Sequence, residues 1–429
     1  MLKAVSTSLP ADALRPPAAR WYALTILMLI FALHYVDRAV LAVLIEPIKT
    51  EFRLSDSAMG FLSTTIHSTA QAVFLLPLGW LVDRSNRVRL LTLFVILWSS
   101  LTALCALAGS YALLLVIRFT VGAAESGAPL ASVSLIADLF KPKERPTAMG
   151  IYYCGLGLGT GLTFLIGGYL AHLYGWRTVF LIAGVPGILL ALLFLATVRE
   201  PARLSEDGGA PDQRESSGMS LIQIALHPPI LLITCAGCLA AIAMNTVWIW
   251  LASFLIRAHG FDLAQAGMVI AAAGVIGKGL GSLTSGPITR YLSNDRPEAF
   301  WRFPSAALTA SAIVGWLMVT SSGSATVVML AVLLGATLGS WPAQATNILV
   351  AAAPKGARAT AFSFYQLATT LIGGVGPFLA GALSDGLGGG MHIGAAIASM
   401  LCLNIGAAIL FLASCRTLGS SSAARTALS

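Results

Sequence analysis

Residues 79–89 read Gly-Trp-Leu-Val-Asp-Arg-Ser-Asn-Arg-Val-Arg and lie where the apolar run 58–82 gives way to the run 90–109. Each run is about as long as the ~20 mainly apolar residues that a helix needs to cross a bilayer. The charged residues between the runs require contact with water or lipid head groups, because charge is costly at bilayer depth. The stretch therefore predicts two transmembrane helices joined by a short loop at one membrane surface.

The composition of the whole chain agrees with this local pattern. Of its 429 residues, 57% are apolar and 10% are charged, and the mean hydropathy is +0.83. Average soluble domains carry roughly 25% charged residues, so the composition excludes an ordinary soluble enzyme and a disordered chain. The net charge of +8 does not indicate a nucleic-acid partner, because the basic residues lie in short loops between apolar runs. We predict an all-α polytopic membrane protein that does not bind nucleic acid.

Twelve apolar segments are long enough to span a bilayer, and a polar stretch after the sixth divides them into two groups of six. We predict that the chain lies in the inner (plasma) membrane of the cell. By the positive-inside rule, the distribution of basic residues places both termini in the cytoplasm. The predicted spans are 21–45, 58–82, 90–109, 112–140, 147–174, 176–198, 229–257, 263–291, 304–323, 326–353, 359–386 and 391–416. The predicted domains are a cytoplasmic N-terminal tail (1–20), an N-terminal six-helix half (21–198), a cytoplasmic linker (199–228), a C-terminal six-helix half (229–416) and a cytoplasmic C-terminal tail (417–429).

The two predicted halves share an internal repeat. Without a gap, the pattern Arg-x-Thr-Ala-x-x-x-Tyr occurs at 145–152, where the fifth segment begins, and at 358–365, where the eleventh begins. Repeats of the same topology are typical of transporters in which a central site opens alternately to the two sides of the membrane. The predicted fold is therefore twelve transmembrane helices arranged as two six-helix repeats.

The loop at 79–89 resembles the signature G-x-L-a-D-r-x-G-r-[rk] that follows helix two in the major facilitator superfamily. Asn86 replaces the usual glycine, which is a mild change because Asn tolerates a left-handed turn better than most residues. In that superfamily the Asp helps to hold the cytoplasmic gate, and the resemblance implies this role for Asp83. A solvated loop that only sets orientation is the alternative. The predicted gate residues are Asp83, Arg84 and Arg87, with Asp138 and Arg145 as candidates for gate or loop pairing near the cytoplasmic end of the fourth segment.

Further motifs narrow the resemblance. The first segment contains His-Tyr-Val-Asp-Arg at 34–38, and the fourth contains Arg118-x-x-x-Gly122-x-x-Glu125-Ser126-Gly127. With Ile-Ala-Asp-Leu-Phe at 136–140, these motifs resemble the bacterial branch of the Spinster family over most of the first half. That resemblance implies transport of lysophospholipids or sphingoid phosphates, often with proton coupling. Organic-anion symporters of the same superfamily also have an Asp-Arg pair in helix one, so small organic anions such as sugar acids are the alternative substrates.

Ionisable residues inside the spans predict a coupling site. With a rise of ~1.5 Å per residue, Asp37 and Arg118 lie at similar depths and can meet, while Glu125 lies deeper on the same face of its helix as Arg118. A carboxylate that binds Arg when ionised and releases it when protonated suits a proton-coupled carrier. Asp37 and Glu125 are the predicted proton carriers, and His34 is predicted to tune or relay the proton. His67 either shares that role or is a structural histidine, and a static salt-bridge network is the alternative for the whole group.

The remaining intramembrane residues predict recognition of an anion. A guanidinium stays charged and binds phosphate or carboxylate through parallel hydrogen bonds, so Arg38 and Arg118 are the predicted head-group contacts. Lys278 either reaches the same cavity or extends toward the inner interface. In the second half, Asn245, Trp248, Gln344 and Tyr365 are the predicted substrate contacts, with packing as the alternative for each. An amphiphile suits this arrangement, with its head near the arginines and its apolar tail along the second half.

No motif predicts catalysis, a cofactor or a metal. The glycine run at 155–161 fits G-x-G-x-x-G only superficially, because phosphate binding requires a strand, a turn and a helix N-terminus. No four of the six cysteines have the spacing of a zinc site. We predict a secondary transporter whose partners are its substrate, protons and membrane lipids, with no oligomer implied. A membrane-embedded lipid enzyme is the alternative from another class, but no nucleophile and base can be placed at one depth.

Overall fold

The structure is a computed structural model that describes residues 17–141, 144–201, 221–295, 299–354 and 357–419. Within these ranges, eleven helices are long and apolar enough to cross a membrane. One of them is broken at Gly175 and provides two crossings, so the helices cross twelve times. The crossing helices are α1 (Ala18–Phe52), α2 (Asp56–Arg84), α3 (Arg87–Leu107), α4 (Tyr111–Leu139), α5 (147–174), α6 (176–197), α7 (Pro228–His259), α8 (Leu263–Thr289), α9 (Arg302–Thr320), α10 (Ser324–Val350), α11 (Thr360–Gly386) and α12 (Gly390–Ser414).

The backbone at Gly175 separates α5 from α6. Its φ of 78° and ψ of 162° lie in a region that residues with a side chain rarely adopt, and glycine enters that region without a steric penalty. The sequence predicts a boundary between two spans at the same residue. Each of the twelve predicted spans is confirmed as a helix, and the helices follow one another in the predicted order.

The first helix is longer than the sequence predicts. The predicted span ends at residue 45, but α1 continues to Phe52 with Pro47 inside the helix. A proline favours a helix end because it lacks a backbone donor, and this preference is overridden here. Glu46 and Lys49 lie on the added turns, and their side chains form ion pairs with residues of other helices. Tertiary contacts therefore extend α1 beyond the apolar run.

The predicted tails and linker lie partly outside the described residues. Residues 17–20 of the predicted N-terminal tail already belong to the first helix, which begins at Pro17, and residues 1–16 are not described. The linker contains the short helix Leu221–Ala225, and residues 202–220 also lie outside the described part. The last helix extends to Gly419. The predicted limits of the two halves stay predictions.

Glycines bring pairs of helices to backbone contact within each half. A Cβ on Gly159 of α5 would lie 2.0 Å from the carbonyl oxygen of Ala32 in α1. A Cβ on Gly281 of α8 would lie 2.0 Å from the carbonyl oxygen of Ala336 in α10. Small residues permit this close approach of membrane helices. The glycine run at 155–161 lies inside α5, where it supports helix packing.

The two halves close against each other at one end of the molecule, which we call the Asp56 end. There α2 meets α11, where a Cβ on Gly60 would lie 2.2 Å from the carbonyl oxygen of Pro377. Toward the same end α5 meets α8, where a Cβ on Gly168 would lie 2.5 Å from the carbonyl oxygen of Leu263. Backbone contacts between the halves therefore close the Asp56 end.

Candidate functional site

A cavity of ≈ 390 Å³ lies between the two halves, and side chains from eight of the twelve helices line it. The helices are α1, α2, α4 and α5 of the first half and α7, α8, α10 and α11 of the second. Among the residues that the structure describes, no Asp or Glu lines the cavity. Its titratable lining residues are Tyr35, Arg38, His67, Arg118, Lys278 and Tyr365. The cavity wall is therefore positively charged, with aromatic and apolar side chains around the cations.

Asp37 and Arg118 form the pair that the sequence predicts. The Nη1 of Arg118 donates to Oδ1 and Oδ2 of Asp37 at 3.0 and 2.9 Å, and Nη2 donates to the Asp37 carbonyl oxygen at 3.3 Å. The hydroxyl of Thr102 in α3 donates to the same carboxylate. Both charged side chains are buried, and the carboxylate offsets the charge of the guanidinium. Three helices of the first half meet at this pair.

Glu125 lies between two histidines. Its Oε2 is 3.1 Å from Nδ1 of His34 and 3.2 Å from Nε2 of His67, and all three side chains are buried. From the i, i+3 spacing, the sequence groups His34 with Asp37, but the imidazole contacts Glu125. His67 belongs to another helix, so no sequence spacing links it to Glu125. Of the three, His67 lines the cavity and connects it with the buried carboxylate.

Arg38 and Lys278 line the cavity from opposite halves. The Cζ of Arg38 lies 5.8 Å from the centre of the Tyr35 ring, and Nζ of Lys278 lies 5.6 Å from that of Trp248. Within the described ranges, neither cation has an Asp or Glu at ion-pair distance. Of the two predicted positions for Lys278, the structure supports the cavity. The residue ends a π-helical segment, Ala272–Lys278, a form frequently found at functional sites.

The second half supplies most of the predicted recognition residues. Asn245, Trp248 and Tyr365 line the cavity, but Gln344 does not. Gln344 is buried on a different face of α10, and its Nε2 lies 3.4 Å from the hydroxyl oxygen of Ser285 in α8. The prediction that Gln344 contacts substrate is therefore not supported in this conformation, because its helix turns it toward α8. Trp341, Thr346 and Gln366 line the cavity in addition to the predicted set.

An ion-pair cluster joins the halves at the Asp56 end. Arg257 of α7 donates to both carboxylate oxygens of Asp56 in α2 at 2.9 Å, and its Nε donates to Glu46 of α1 at 3.0 Å. Lys49 also pairs with Asp56. The Asp56 side chain has no exposed surface, so these bonds are largely shielded from water. The sequence does not predict this cluster, because its partners are distant along the chain.

Helix α11 adds a second connection at this end. Both carboxylate oxygens of Asp385 accept hydrogen bonds from the backbone N–H groups of Asp56 and Ser57, at 2.9 and 2.8 Å. The hydroxyl of Ser384 donates to Asp56 at 2.7 Å. A carboxylate suits the N-terminus of a helix, where the first N–H groups lack partners within the helix. The last turn of α11 therefore caps α2 across the two halves.

At the opposite end, the Arg87 end, the ion pairs of Arg87 join residues of the first half. Arg87 pairs with Asp138 and, through Nε, with Glu200 at 2.7 Å. Of the other predicted gate residues, Asp83 and Arg84 are exposed, and Arg145 donates through Nε to the Phe140 carbonyl oxygen at 3.1 Å. The gate role of this set stays a prediction, and the structure adds Glu200 to it.

A separate ion pair lies in the loop between α4 and α5. Glu144 accepts from the backbone N–H of Lys141 at 3.2 Å and from Nη1 of Arg20 at 2.9 Å. These hydrogen bonds, first the backbone one, lower the pKa of Glu144. The pair joins the start of α1 to the start of α5, and it is also confined to the first half.

Comparisons with known proteins agree with this geometry. A sequence model described as the Major Facilitator Superfamily matches residues 27–377. The chain is 28% identical over 374 residues to an MFS-type efflux pump of Mycolicibacterium smegmatis, with 86% of each protein covered. It is 27% identical over 382 residues to the sphingosine-1-phosphate transporter SPNS2 of Danio rerio, covering 83% of this chain and 74% of that protein. It is 26% identical over 296 residues to the probable galactarate/D-glucarate transporter GudP of Bacillus subtilis, covering 62% and 65%.

A solved structure extends the likeness over almost the whole chain. The crystal structure of a bacterial homolog of the human lysosomal transporter Spinster, in an inward-facing and occupied conformation, has a TM-score of 0.80 and 25% sequence identity to this chain. The match covers 94% of this chain and 98% of that one. The predicted fold of two six-helix repeats and the resemblance to the Spinster family are confirmed.

Proposed function

This chain belongs to the Major Facilitator Superfamily and is a transporter, not an enzyme; we propose that it is a secondary active transporter that moves an amphiphilic anion by alternating access. The main support for this proposal is the cavity between the halves, where Arg38 and Lys278 lie beside an apolar and aromatic wall. The substrate in this proposal is a lysophospholipid or a sphingoid phosphate. The Spinster-like relatives support this substrate class.

The cavity offers distinct surfaces for a head and a tail. The guanidinium of Arg38 and the ammonium of Lys278 bind the oxyanion of the head group, and Asn245 and Tyr365 add hydrogen bonds to it. Arg118 is neutralised by Asp37 in this conformation, so Arg38 and Lys278 supply the net positive charge. The tail lies along the apolar wall, which the helices of both halves provide, with Leu156, Phe164, Met244, Trp248, Ile249 and Trp341 among its members.

Protons drive the cycle through Asp37, Glu125 and His34 in this proposal. Protonation of Asp37 removes the charge that holds Arg118 and frees the guanidinium for an anion in the cavity. Protonation of Glu125 likewise weakens its contacts with the two imidazoles. Because His67 contacts both the cavity and Glu125, it provides the route from one to the other. Protonation of the two carboxylates then changes the contacts between helices α1, α2 and α4.

The positive-inside rule supplies the orientation. It places both termini and the Arg87 end in the cytoplasm, and the Asp56 end on the outer face of the bacterial inner membrane. Because the Asp56 end is closed, we assign this conformation as inward-facing, the state of the matched Spinster homolog. In the outward-facing state, the bonds of Arg257 to Asp56 open and the predicted gate residues close the Arg87 end.

A small organic anion such as a sugar acid is the alternative substrate. The likeness to the galactarate/D-glucarate transporter favours it, and a cavity of ≈ 390 Å³ also holds a molecule of that size. Both substrates carry an anionic group that suits Arg38 and Lys278. They differ in the tail, because an amphiphile gains from the apolar wall and a sugar acid does not.

Uptake into proteoliposomes under an imposed proton gradient tests the function. Labelled lysophosphatidate and labelled galactarate are supplied outside, and lipid in the outer leaflet is removed with albumin before counting. We expect protein-dependent lysophosphatidate uptake that stops when the gradient is collapsed. Galactarate uptake without lysophosphatidate uptake would replace the amphiphile with the sugar acid.

A matched pair of arginine variants controls this assay. Arg38→Gln removes a cavity cation and should abolish uptake. Arg177→Gln removes an arginine outside the cavity, which is bound to Glu51 at an exposed site, and should leave uptake close to wild type. Equal uptake by both variants would contradict the role of the cavity.

A further inference from the structure

In the part of the chain that the structure describes, the cavity has more positive side chains than carboxylates paired with them. Arg118 is balanced by Asp37, whose two oxygens accept from its Nη1. Arg38 and Lys278 have no such carboxylate in the described part of the chain, and the lining of the cavity contains no acid. Two cations without a partner carboxylate among the described residues therefore line the cavity, Arg38 from α1 and Lys278 from α8.

The aromatic rings beside these cations do not supply the missing charge. Arg38 lies near the ring of Tyr35 and Lys278 near that of Trp248, at 5.8 and 5.6 Å. A ring face attracts a cation through its quadrupole but carries no net negative charge. The rings hold the side chains in place, and among the described residues the N–H donors of both groups still lack an anionic acceptor.

We infer that the head group is a dianion, held by one cation from each half, and that monoanionic and zwitterionic head groups on the same tail are bound more weakly. A dianion offsets both Arg38 and Lys278. A monoanion leaves one of them uncompensated at bilayer depth, which is costly. A zwitterion brings a further cation into a cavity that is already positive. The inference rests on the proposed function for the tail and adds the charge of the head.

The position of the two cations gives the dianion a second role. Because Arg38 and Lys278 belong to opposite halves, a bound dianion connects the halves in the middle of the membrane. A monoanion cannot pair fully with both. A phosphate monoester and a dicarboxylate share the required charge, so charge alone does not distinguish a lipid head group from a sugar diacid, and the test needs a probe of each kind.

Two detergent-like probes with the same tail isolate the head-group charge. Dodecyl phosphate is a dianion at about pH 8, since the second pKa of a phosphate monoester is ~6, whereas dodecyl sulfate is a monoanion with the same tetrahedral oxygens. Binding of each is measured to the wild-type protein in phosphatidylcholine nanodiscs, and partition into protein-free nanodiscs is subtracted. We expect dodecyl phosphate to bind more tightly by about 10- to 100-fold, the value of one charge-assisted hydrogen-bonded pair.

Variants assign this preference to the two cations. Arg38→Gln and Lys278→Gln should each reduce it to within about threefold, and Lys278→Arg should keep it, since charge is retained. Arg177→Gln changes a residue outside the cavity and should keep the full preference for dodecyl phosphate. Size-exclusion chromatography checks that each variant is folded. The comparison of the two probes on the wild-type protein tests the inference even if a variant does not fold.

The outcomes separate this inference from the proposed function. Equal affinity of the wild-type protein for the two probes would overturn the dianion and leave the amphiphilic anion in place. Binding of galactarate, with no binding of either dodecyl probe, would support the dianion and remove the tail from the proposed function. Failure of all three probes to bind would overturn both.

Discussion

Arg118 of α4 donates hydrogen bonds to both carboxylate oxygens of Asp37 in α1, at 3.0 and 2.9 Å, and the guanidinium is completely buried. The same carboxylate accepts from Thr102 of α3. A buried ion pair is much more sensitive to the loss of one partner than to the loss of both, because a single loss leaves an uncompensated charge. The pair therefore matters for stability as well as for coupling.

Asp37→Asn should destabilise the protein more than removal of both charges. Loss of the carboxylate leaves Arg118 buried without a counter-charge, at a cost of about 3–5 kcal/mol. Thermal unfolding in detergent should show a clearly lower midpoint, and the double variant Asp37→Asn with Arg118→Met should recover part of it. A midpoint for Asp37→Asn equal to that of wild type would show that the pair does not hold α1 to α4.

His67→Gln should separate proton-driven uptake from exchange. His67 contacts Glu125 and lines the cavity, so its loss should slow uptake driven by a proton gradient by about tenfold or more, in the range of one proton-transfer group. Exchange of labelled for unlabelled lipid at equal concentrations requires no net proton movement and should stay near wild type. The control is His172→Gln, an exposed histidine of α5. An equal fall in both assays would make His67 structural.

Asp56→Asn should open the Asp56 end. The change weakens the bonds to Arg257, which are worth about 1.5–3 kcal/mol each for charged groups, and should shift the population of open forms by roughly tenfold or more. Spin labels are attached at Gly109→Cys and Ser322→Cys, on loops of opposite halves at this end, in a background without native cysteines. Pulsed electron paramagnetic resonance should then measure longer distances between the labels in Asp56→Asn. 

Glu51→Gln is the matched control for that measurement. Glu51 lies at the same end and carries the same charge, but its partners Trp176 and Arg177 belong to its own half. Its loss should leave the distances between the labels unchanged. If both variants lengthen the distances equally, the effect comes from charge at this end and not from the bonds between the halves.

Gly159→Ala should destabilise the first half. A Cβ at this position would lie 2.0 Å from the Ala32 carbonyl oxygen, so α1 and α5 must separate, at a cost of about 1–3 kcal/mol. Gly150→Ala, on the same helix, has no atom within 4 Å of the new Cβ and should be neutral or slightly stabilising. The measurement is the midpoint of thermal unfolding, and equal midpoints for the two variants would contradict the proposed packing.

The sequence predicts the helices well because the bilayer imposes a simple length requirement. Apolar runs of about 20 residues mark the spans, and glycine at 175 marks the break between α5 and α6. The end of α1 is missed because the polar residues after 45 read as a loop. Their helical form depends on ion pairs with Arg257 and Asp56, which lie elsewhere in the chain.

The candidate site is predictable in part for the same reason. Depth along two helices brings Asp37 to Arg118, and this pair is present. Depth does not tell which faces of different helices meet, so the contact of His67 with Glu125 and the position of Gln344 outside the cavity require the packed structure. Local spacing predicts which residues share a helix face, and tertiary packing decides which of them face the cavity.

In the proposed mechanism, movement of an amphiphilic anion is coupled to protons through the buried carboxylates. The most direct measurement is lipid-evoked proton flux in proteoliposomes that contain a pH-sensitive dye, with lysophosphatidate added to wild type, Asp37→Asn and Glu125→Gln. Glu144→Gln, an acid in a loop outside the cavity, is the control. We expect a proton flux in wild type and the control, and none in Glu125→Gln or Asp37→Asn. Lipid transport without proton flux in wild type, or an unchanged flux in both carboxylate variants, would contradict this coupling.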